Sequence, residues 1–364
     1  MKIVNISYRY FPERDHMAWI SGFGFYYTIW EELARKHEVI CVEHIDHSGT
    51  YEYKGIRYLF EKMRGLALLL PFRLHHQLCR LQADVAVVHS LLSPVQLILL
   101  RSALGASVRI VVQHHAEKPP RRFLKRQLQR WADRRTDLYF FSGDGLAQPW
   151  IEQGLVAAGK VREVMEVTSV FGPGDRAVAR RITQVSGEKT YIWVGHLNEN
   201  KNPLLALRAF MAFLSEGNTA AVYMIFQTEQ LLPEIKEYLE QYPQLAAHIH
   251  LVGKVPHAEL QHWFNSVDFI ISSSAYEGSG VAVCEAMSCG CIPVLSAIPS
   301  FRFMSGGSCG FLYEPGDEMA LLAALKESAG ADLHAEREKT LLRYAQRLSA
   351  AGIASDIEAA VSVS

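Results

Sequence analysis

The chain has 364 residues, of which 49% are apolar and 21% charged, and its formal net charge is −1. That length exceeds one ordinary core and suits two domains, while a charge this close to zero supplies no global field that would favour nucleic acid. Met1-Lys2 leads straight into a strand-like run without the apolar core of a secretory signal, and the longest apolar stretches, Leu66–Leu70 and Val95–Leu100, are far too short to span a bilayer.

Short β-branched runs alternate with helix-like segments along the whole chain. In the first half the predicted strands are Ile3–Ser7, Val39–Val42, Val85–Val88, Arg109–Val112 and Leu138–Phe141, with amphipathic stretches at Tyr26–Lys36 and Phe123–Arg134. From Phe171 to Lys189 the sequence reads FGPGDRAVARRITQVSGEK, with two early glycines around a proline and no apolar period, as expected of a linker. A second series follows: strands Tyr191–Val194, Ala221–Phe226, Ile249–Val252, Phe269–Ser272 and Ile292–Leu295, with helices at Pro203–Leu214 and Leu231–Glu240. Asn202 before Pro203, and Asp317 after Pro315-Gly316, are expected helix caps. The strands are apolar throughout rather than alternating, so both sheet faces are covered. This pattern predicts α/β architecture with doubly wound parallel sheets. The expected organisation is an N-terminal domain over 1–171, a linker over 172–189 and a C-terminal domain over 190–339. A terminal helix over about 340–364 is a candidate to pack back on the first domain.

Six cysteines (Cys41, Cys79, Cys284, Cys289, Cys291 and Cys309) show no CxxC pair and no zinc-like spacing, which fits small buried thiols in a reducing cytosol.

The most informative stretch is SSSAYEGSGVAVCEAMSCGCIPV, Ser272 to Val294. A strand runs into a glycine loop and then into a helix predicted over Val281–Cys289. Glycines admit a ligand close to the backbone, and the free N–H groups of a helix start attract anions. Glu277 precedes that helix and Glu285 lies just over a turn inside it. An ionised carboxylate only accepts hydrogen bonds, so Glu285 suits a ribose cis-diol and Glu277 suits sugar hydroxyls. Taken singly, each glutamate reads equally as a solvated helix residue. In VGHLNENKN, Val194 to Asn202, Lys201 sits beside a strand end and Gly195, where an ammonium can meet a diphosphate; a solvated surface lysine is the alternative.

These stretches, together with LVGKVPHAEL (251–260), EAMSCGCIPV and GFLYEPGD (310–317), resemble the retaining family 4 glycosyltransferases of the GT-B fold. The match runs in order from Tyr191 to Leu325. In the first half SGFG at Ser21–Gly24, the run EELARKHEV and QHHAE at Gln113–Glu117 agree with it. The resemblance implies two Rossmann-like domains facing a cleft, with nucleotide held mainly by the second and acceptor by the first. By motif, Glu277 resembles the glutamate that contacts the donor sugar, Glu285 the one that holds ribose, and Lys201 the diphosphate lysine. Gly278, Ser279, Gly280 and Val281 resemble the backbone that meets sugar and phosphate. Gly253 and Lys254 resemble the frame of the base, and Gly22 and Gly24 a loop over the phosphates. His115, or else His114, resembles a histidine near the reacting sugar. The family's usual arginine is His196 here, which removes a fixed charge; protonation of His196 by bound diphosphate, or help from Arg302, are the expected compensations.

No Asp-x-Asp pair occurs, so no metal site is expected and no cofactor beyond the donor, a UDP- or GDP-sugar. Gly22 and Gly24 are displaced from the first strand and do not form a dinucleotide fingerprint, which disfavours a dehydrogenase; a mobile flap is expected there. His114-His115 lacks a third ligand for a metal. Arg121–Arg135 carries seven basic residues and one acid, with Leu124, Leu128 and Trp131 on one helical face. It is a candidate for anionic lipid or an anionic acceptor, against a plain solvated face. The expected activity is retaining, metal-independent transfer of a hexose to a glycan or lipid-linked saccharide by a cytoplasmic enzyme, with peripheral contact at the inner membrane face as an option. A non-catalytic nucleotide-sugar binder and an epimerase or hydrolase of the same fold are the rivals.

Overall fold

The computed structural model describes residues 1–362, the side chains of Phe25 and Leu245 excepted; the last two positions of the expected terminal helix lie outside the described residues. The chain divides into two compact units, residues 1–168 with 350–364, and residues 169–349.

The first unit opens with β1 (Lys2–Tyr10), α1 (His16–Gly22), α2 (Gly24–Ala34), β2 (Glu38–His44), β3 (Gly49–Tyr53) and β4 (Ile56–Phe60). It continues through α3 (Leu66–Leu69), α4 (Phe72–Arg80), β5 (Val85–His89), α5 (Pro94–Leu104), β6 (Arg109–Gln113), α6 (Phe123–Asp133), β7 (Leu138–Phe141), α7 (Asp144–Glu152) and β8 (Val161–Glu163). The strands form a sheet ordered β3-β4-β2-β1-β5-β6-β7-β8, parallel except for the β3–β4 pair. Runs such as Val85–Val88 and Leu138–Phe141 are buried on both faces, which is why they read as unbroken apolar segments. The β3–β4 hairpin escapes that pattern because half-buried residues alternate with exposed ones in β3 and with buried ones in β4. Its two-residue turn, Lys54-Gly55, has positive φ at both positions (49° and 80°), the turn geometry whose twist suits adjacent antiparallel strands.

The expected glycine flap is instead two helices. Asp15 caps α1 by accepting from the Met17 and Ala18 N–H groups, and Trp19 packs against Phe11 and Phe23 with ring centroids 4.5 and 4.4 Å away. Gly22 ends α1 and Gly24 begins α2. A Cβ at Gly22 would meet open space, so nothing steric calls for glycine there.

The second unit contains α8 (Arg176–Thr183), β9 (Thr190–Gly195), α9 (Pro203–Ser215), β10 (Ala221–Phe226), α10 (Leu232–Glu240), α11 (Pro243–Ala246), β11 (Ile249–Gly253), α12 (Leu260–Ser266) and β12 (Phe269–Ser272). After these come α13 (Val281–Ser288), β13 (Ile292–Ser296), α14 (Pro299–Ser305), β14 (Phe311–Tyr313), α15 (Glu318–Gly330) and α16 (Leu333–Arg343). All six strands are parallel, in the order β11-β10-β9-β12-β13-β14. Part of the expected linker is therefore ordered. Asp175 caps α8, Ala179 is buried, and Arg180 donates to the Ser266 carbonyl of α12 at 3.0 Å. Ser169 is held by Ser288 and Tyr344, which draws the start of the segment into this unit. After a single π turn over Tyr344–Leu348, the chain enters α17 (Ala350–Ser362), which belongs to the first unit and packs along α2. There Glu358 accepts from Lys36 at 3.0 Å and from His37 at 2.9 Å. Two parallel sheets, each wrapped by helices, are the α/β architecture expected.

Candidate active site

In the second unit the end of β9 and the end of β12 lie side by side, and small polar groups lock the loops that leave them. Trp193 Nε1 donates to Ser273 Oγ at 3.2 Å, and that hydroxyl lies 2.8 and 2.9 Å from the Lys201 and Asn202 carbonyls. Ala275 N donates to the Asn200 carbonyl at 2.8 Å, and Asn200 Nδ2 donates to the Tyr276 carbonyl at 3.0 Å. This zipper brings Lys201 Nζ to 2.5 Å from Glu277 Oε1, with side chains 23% and 13% exposed. The lysine stem runs over Gly195, where an added Cβ would sit 3.5 Å from its methylenes. Asn202, expected as a cap, is in the left-handed region (φ 46°) and makes no side-chain cap; Asn198 Oδ1 accepts from Lys201 N at 3.0 Å instead. Asp317 does cap α15, accepting from Ala320 N at 2.9 Å.

Gly278, Ser279 and Gly280 are buried and lead into α13. Gly280 has φ +62°, and a Cβ there would lie 2.5 Å from the Phe301 ring, so glycine is required on two counts. As at any helix start, the first N–H groups of α13 lack intrahelical acceptors, which makes this end favourable to anions. Glu285, one turn on, is only 2% exposed. Its Oε1 lies 2.6 Å from His257 Nε2. Burial raises the Glu285 pKa, and the His257 hydrogen bond opposes that rise. His257 itself is half exposed and tilts against Phe171, with ring centroids 5.1 Å apart. Glu285, expected to accept from a ribose diol, is thus a buried carboxylate with a partner already in place. Gly253 ends β11 at φ +83°, and Lys254 beyond it is exposed. His196 is exposed at the end of β9, while Arg302 gives its Nε to the Ala297 carbonyl at 2.7 Å.

In the first unit, a cavity of about 580 Å³ opens at the carboxyl ends of β1, β5 and β6. Aromatic rings (Phe11, Trp19, Phe23, Tyr26) line it together with His89, His115 and Glu166. The polar groups form a chain. Asn5 Nδ2 donates to Tyr26 Oη at 2.7 Å, which turns Asn5 Oδ1 toward His89 Nε2 at 2.5 Å. His89 Nε2 is also in contact with Tyr26 Oη, and His89 Nδ1 lies 2.6 Å from His115 Nε2. His115 Nδ1 faces the Glu166 carboxylate. Burial pulls the His115 pKa down, but the adjacent Glu166 charge prevails and the net shift is upward. His89 shifts down through burial and the neighbouring His115. His114 instead turns into the core, 1% exposed and stacked on Phe141 at 4.6 Å.

The structure thus joins Lys201 to Glu277 and seats both beside the Gly278–Val281 loop, with Glu285 one turn along α13. The sequence reading missed His257, His89, Glu166 and the Ser273–Asn200 zipper. His89 had a usable signal, since it ends a buried apolar strand as His115 follows one. His257 had none, because 28 residues separate it from its partner.

Residues 188–329 match the family model described as glycosyl transferases group 1. That segment is similar to the group 1 glycosyltransferases, over rather less than half of the chain. A stretch of 105 residues is 36% identical to the GDP-mannose:cellobiosyl-diphosphopolyprenol alpha-mannosyltransferase of Komagataeibacter xylinus. The match covers 26% of this chain and 26% of that relative, about a quarter of each. Over the whole chain, the sucrose-phosphate synthase of Thermosynechococcus elongatus superposes with TM-score 0.66 at 14% identity, covering 99% of this chain and 98% of the other. HepE of Anabaena in complex with UDP gives 0.69 at 14%, covering both chains fully (100% each). A glycosyltransferase from Rickettsia africae gives 0.69 at 13%, covering 98% and 97%. At such identities the likeness is one of fold, the GT-B pair of Rossmann-like sheets. The loop from Gly195 to Lys201 and the turn at Glu277–Val281 both fall within the matched segment.

Proposed function

We propose that the chain moves a hexose from a nucleotide-diphosphate sugar to a hydroxyl acceptor, with retention of configuration and without a metal ion. The observation that carries this reading is the Lys201–Glu277 pair beside the open N-terminus of α13. A cation and the N-terminus of a helix would stand where a diphosphate gains charge as it departs. Glu277 supplies an acceptor for sugar hydroxyls within reach of the same lysine. Glu285 is the ribose partner in this reading; the diol hydroxyls join or replace His257 on its carboxylate.

In the transfer step the bond from the anomeric carbon to the phosphate oxygen breaks while the bond to the acceptor oxygen forms on the same face. The acceptor proton passes to a phosphate oxygen of the leaving group. Lys201 and the α13 amides hold that charge, so the residues act by positioning and electrostatics rather than as a nucleophile. His196 stands where an arginine is usual. The acceptor is assigned to the aromatic cavity of the first unit, whose rings suit the faces of sugars. The name of the Komagataeibacter relative supports a GDP-mannose donor and a saccharide carried on diphosphopolyprenol, whereas the UDP-bound HepE structure keeps uridine donors in the comparison. Thermal-shift screening with UDP-, GDP- and ADP-sugars, followed by nucleoside diphosphate release, tests the reading. One donor class is expected to stabilise the chain and to be turned over with an acceptor, giving a glycoside of unchanged anomeric configuration. Absence of stabilisation by every donor, or release without a glycoside product, would refute it.

A further inference from the structure

The outer surface of α6 inverts the usual arrangement of an amphipathic helix. Its buried positions are Gln129, 2% exposed, and Ala132, whereas Phe123, Leu124 and Trp131 are 70%, 75% and 57% exposed. A helix that only had to cover a globular core would turn those three inward. Arg130 faces the body of the unit and donates to the Gln153 and Gly154 carbonyls. Arg121, Arg122 and Lys125 are exposed and, among the described residues, form no ion pair.

The topology extends this patch. β4, β5 and β6 run parallel, so α3, the start of α5 and the start of α6 all emerge at one edge of the sheet. α5 packs on both α4 and α6, and Gln96 of α5 donates to the Leu68 carbonyl of α3 at 3.2 Å. At that same edge Leu66, Leu69, Leu70, Phe72 and Leu92 are exposed, flanked by exposed Arg64 and Arg73. Leu92 also lines the aromatic cavity, so the patch reaches its mouth. Large apolar side chains with guanidinium and ammonium groups around them are the two signals that together hold a protein on an anionic bilayer. Scattered single apolar residues would need no explanation, but this many exposed on elements that leave the same edge of one sheet do. No helix among the described residues is long and apolar enough to cross a membrane.

We infer that the edge formed by α3, Leu92 and the start of α6 is a docking surface for an anionic lipid bilayer, with Phe123 and Leu124 inserted and Arg121, Arg122 and Lys125 at the headgroups. The inference is independent of the transfer reading, because binding is measured on the free chain without donor or acceptor. The full chain is floated with vesicles of phosphatidylcholine alone and of phosphatidylcholine mixed with phosphatidylglycerol, at low and high salt. It is expected on the mixed vesicles only, and salt should weaken the binding. Phe123→Ser with Leu124→Ser, and separately Arg121→Glu with Arg122→Glu, should each reduce the partition about tenfold or more. Melting should stay at the wild-type temperature, since all four side chains are exposed. Failure of the wild-type chain to bind mixed vesicles at low salt would overturn the inference. So would unchanged partition of the Phe123/Leu124 variant. A self-associated species that this variant dissociates, with no vesicle binding, would assign the edge to a second copy instead.

Discussion

Replacing Lys201 by methionine separates the structural from the chemical role of the Lys201–Glu277 pair. The two side chains are 23% and 13% exposed and 2.5 Å apart, so the pair is partly screened by solvent. Its loss should cost about 1–2 kcal/mol of stability, below the full value of a buried charged hydrogen bond. Turnover should fall further, because the ammonium faces a charge that grows only as the diphosphate leaves. Loss of such a group costs on the order of 10²–10³ in kcat, about 2.7–4 kcal/mol. Urea unfolding and nucleoside diphosphate release measure the two effects on the same preparation. The double variant Lys201→Met with Glu277→Gln removes the unpaired carboxylate, so stability should return while turnover does not. Turnover within about threefold of wild type in Lys201→Met, or its recovery in the double variant, would show that the lysine merely neutralises Glu277.

Gly280→Ala should destabilise the second unit by about 2–4 kcal/mol, through the left-handed backbone and an overpacked Phe301, and should raise the donor KM; unfolding and kinetics of the one variant check both. Glu43 is buried beside Tyr27, whose hydroxyl donates to it at 3.0 Å, and burial pushes its pKa up to about 8. A carboxyl raised above its unfolded value contributes full stability below the unfolded pKa and loses it as pH rises through the folded one, here between about pH 4.5 and 8. Glu43→Gln should abolish that loss, so its stability relative to wild type should improve by about 3–5 kcal/mol on going from acid to mildly alkaline solution. A pH-independent difference in urea-unfolding free energy would contradict the buried-carboxyl reasoning.

Both halves of the alternating strand–helix pattern were legible because strands of a parallel sheet are buried on two faces and need unbroken apolar runs. The predicted Leu138–Phe141, Ala221–Phe226 and Phe269–Ser272 coincide with β7, β10 and β12. The edge hairpin β3–β4 was not legible, since none of the residues of β3 is buried. The helix α8 was missed because only Ala179 of its eight residues is buried, too little to mark an apolar period. Asp15 as a cap, and the packing of Trp19 on Phe11 and Phe23, were equally hidden. The SGFG glycines therefore read as a loop when they join two helices.

At the site, residue types and local spacing were determined by the sequence alone. Glu277, the glycine turn and Glu285 are neighbours on one strand–loop–helix unit, and local backbone geometry places them together whatever surrounds them. Only the tertiary structure decided what each group touches. Lys201 reaches Glu277 because parallel pairing of β9 with β12 sets two distant strand ends side by side. His257 closes on Glu285 across 28 residues, and Asn5, His89, His115 and Glu166 meet from four separate stretches of the first unit. Protonation follows the same division. A histidine in a sequence has one ordinary pKa, whereas burial and the charge beside it, both products of folding, shift His115 up and His89 down.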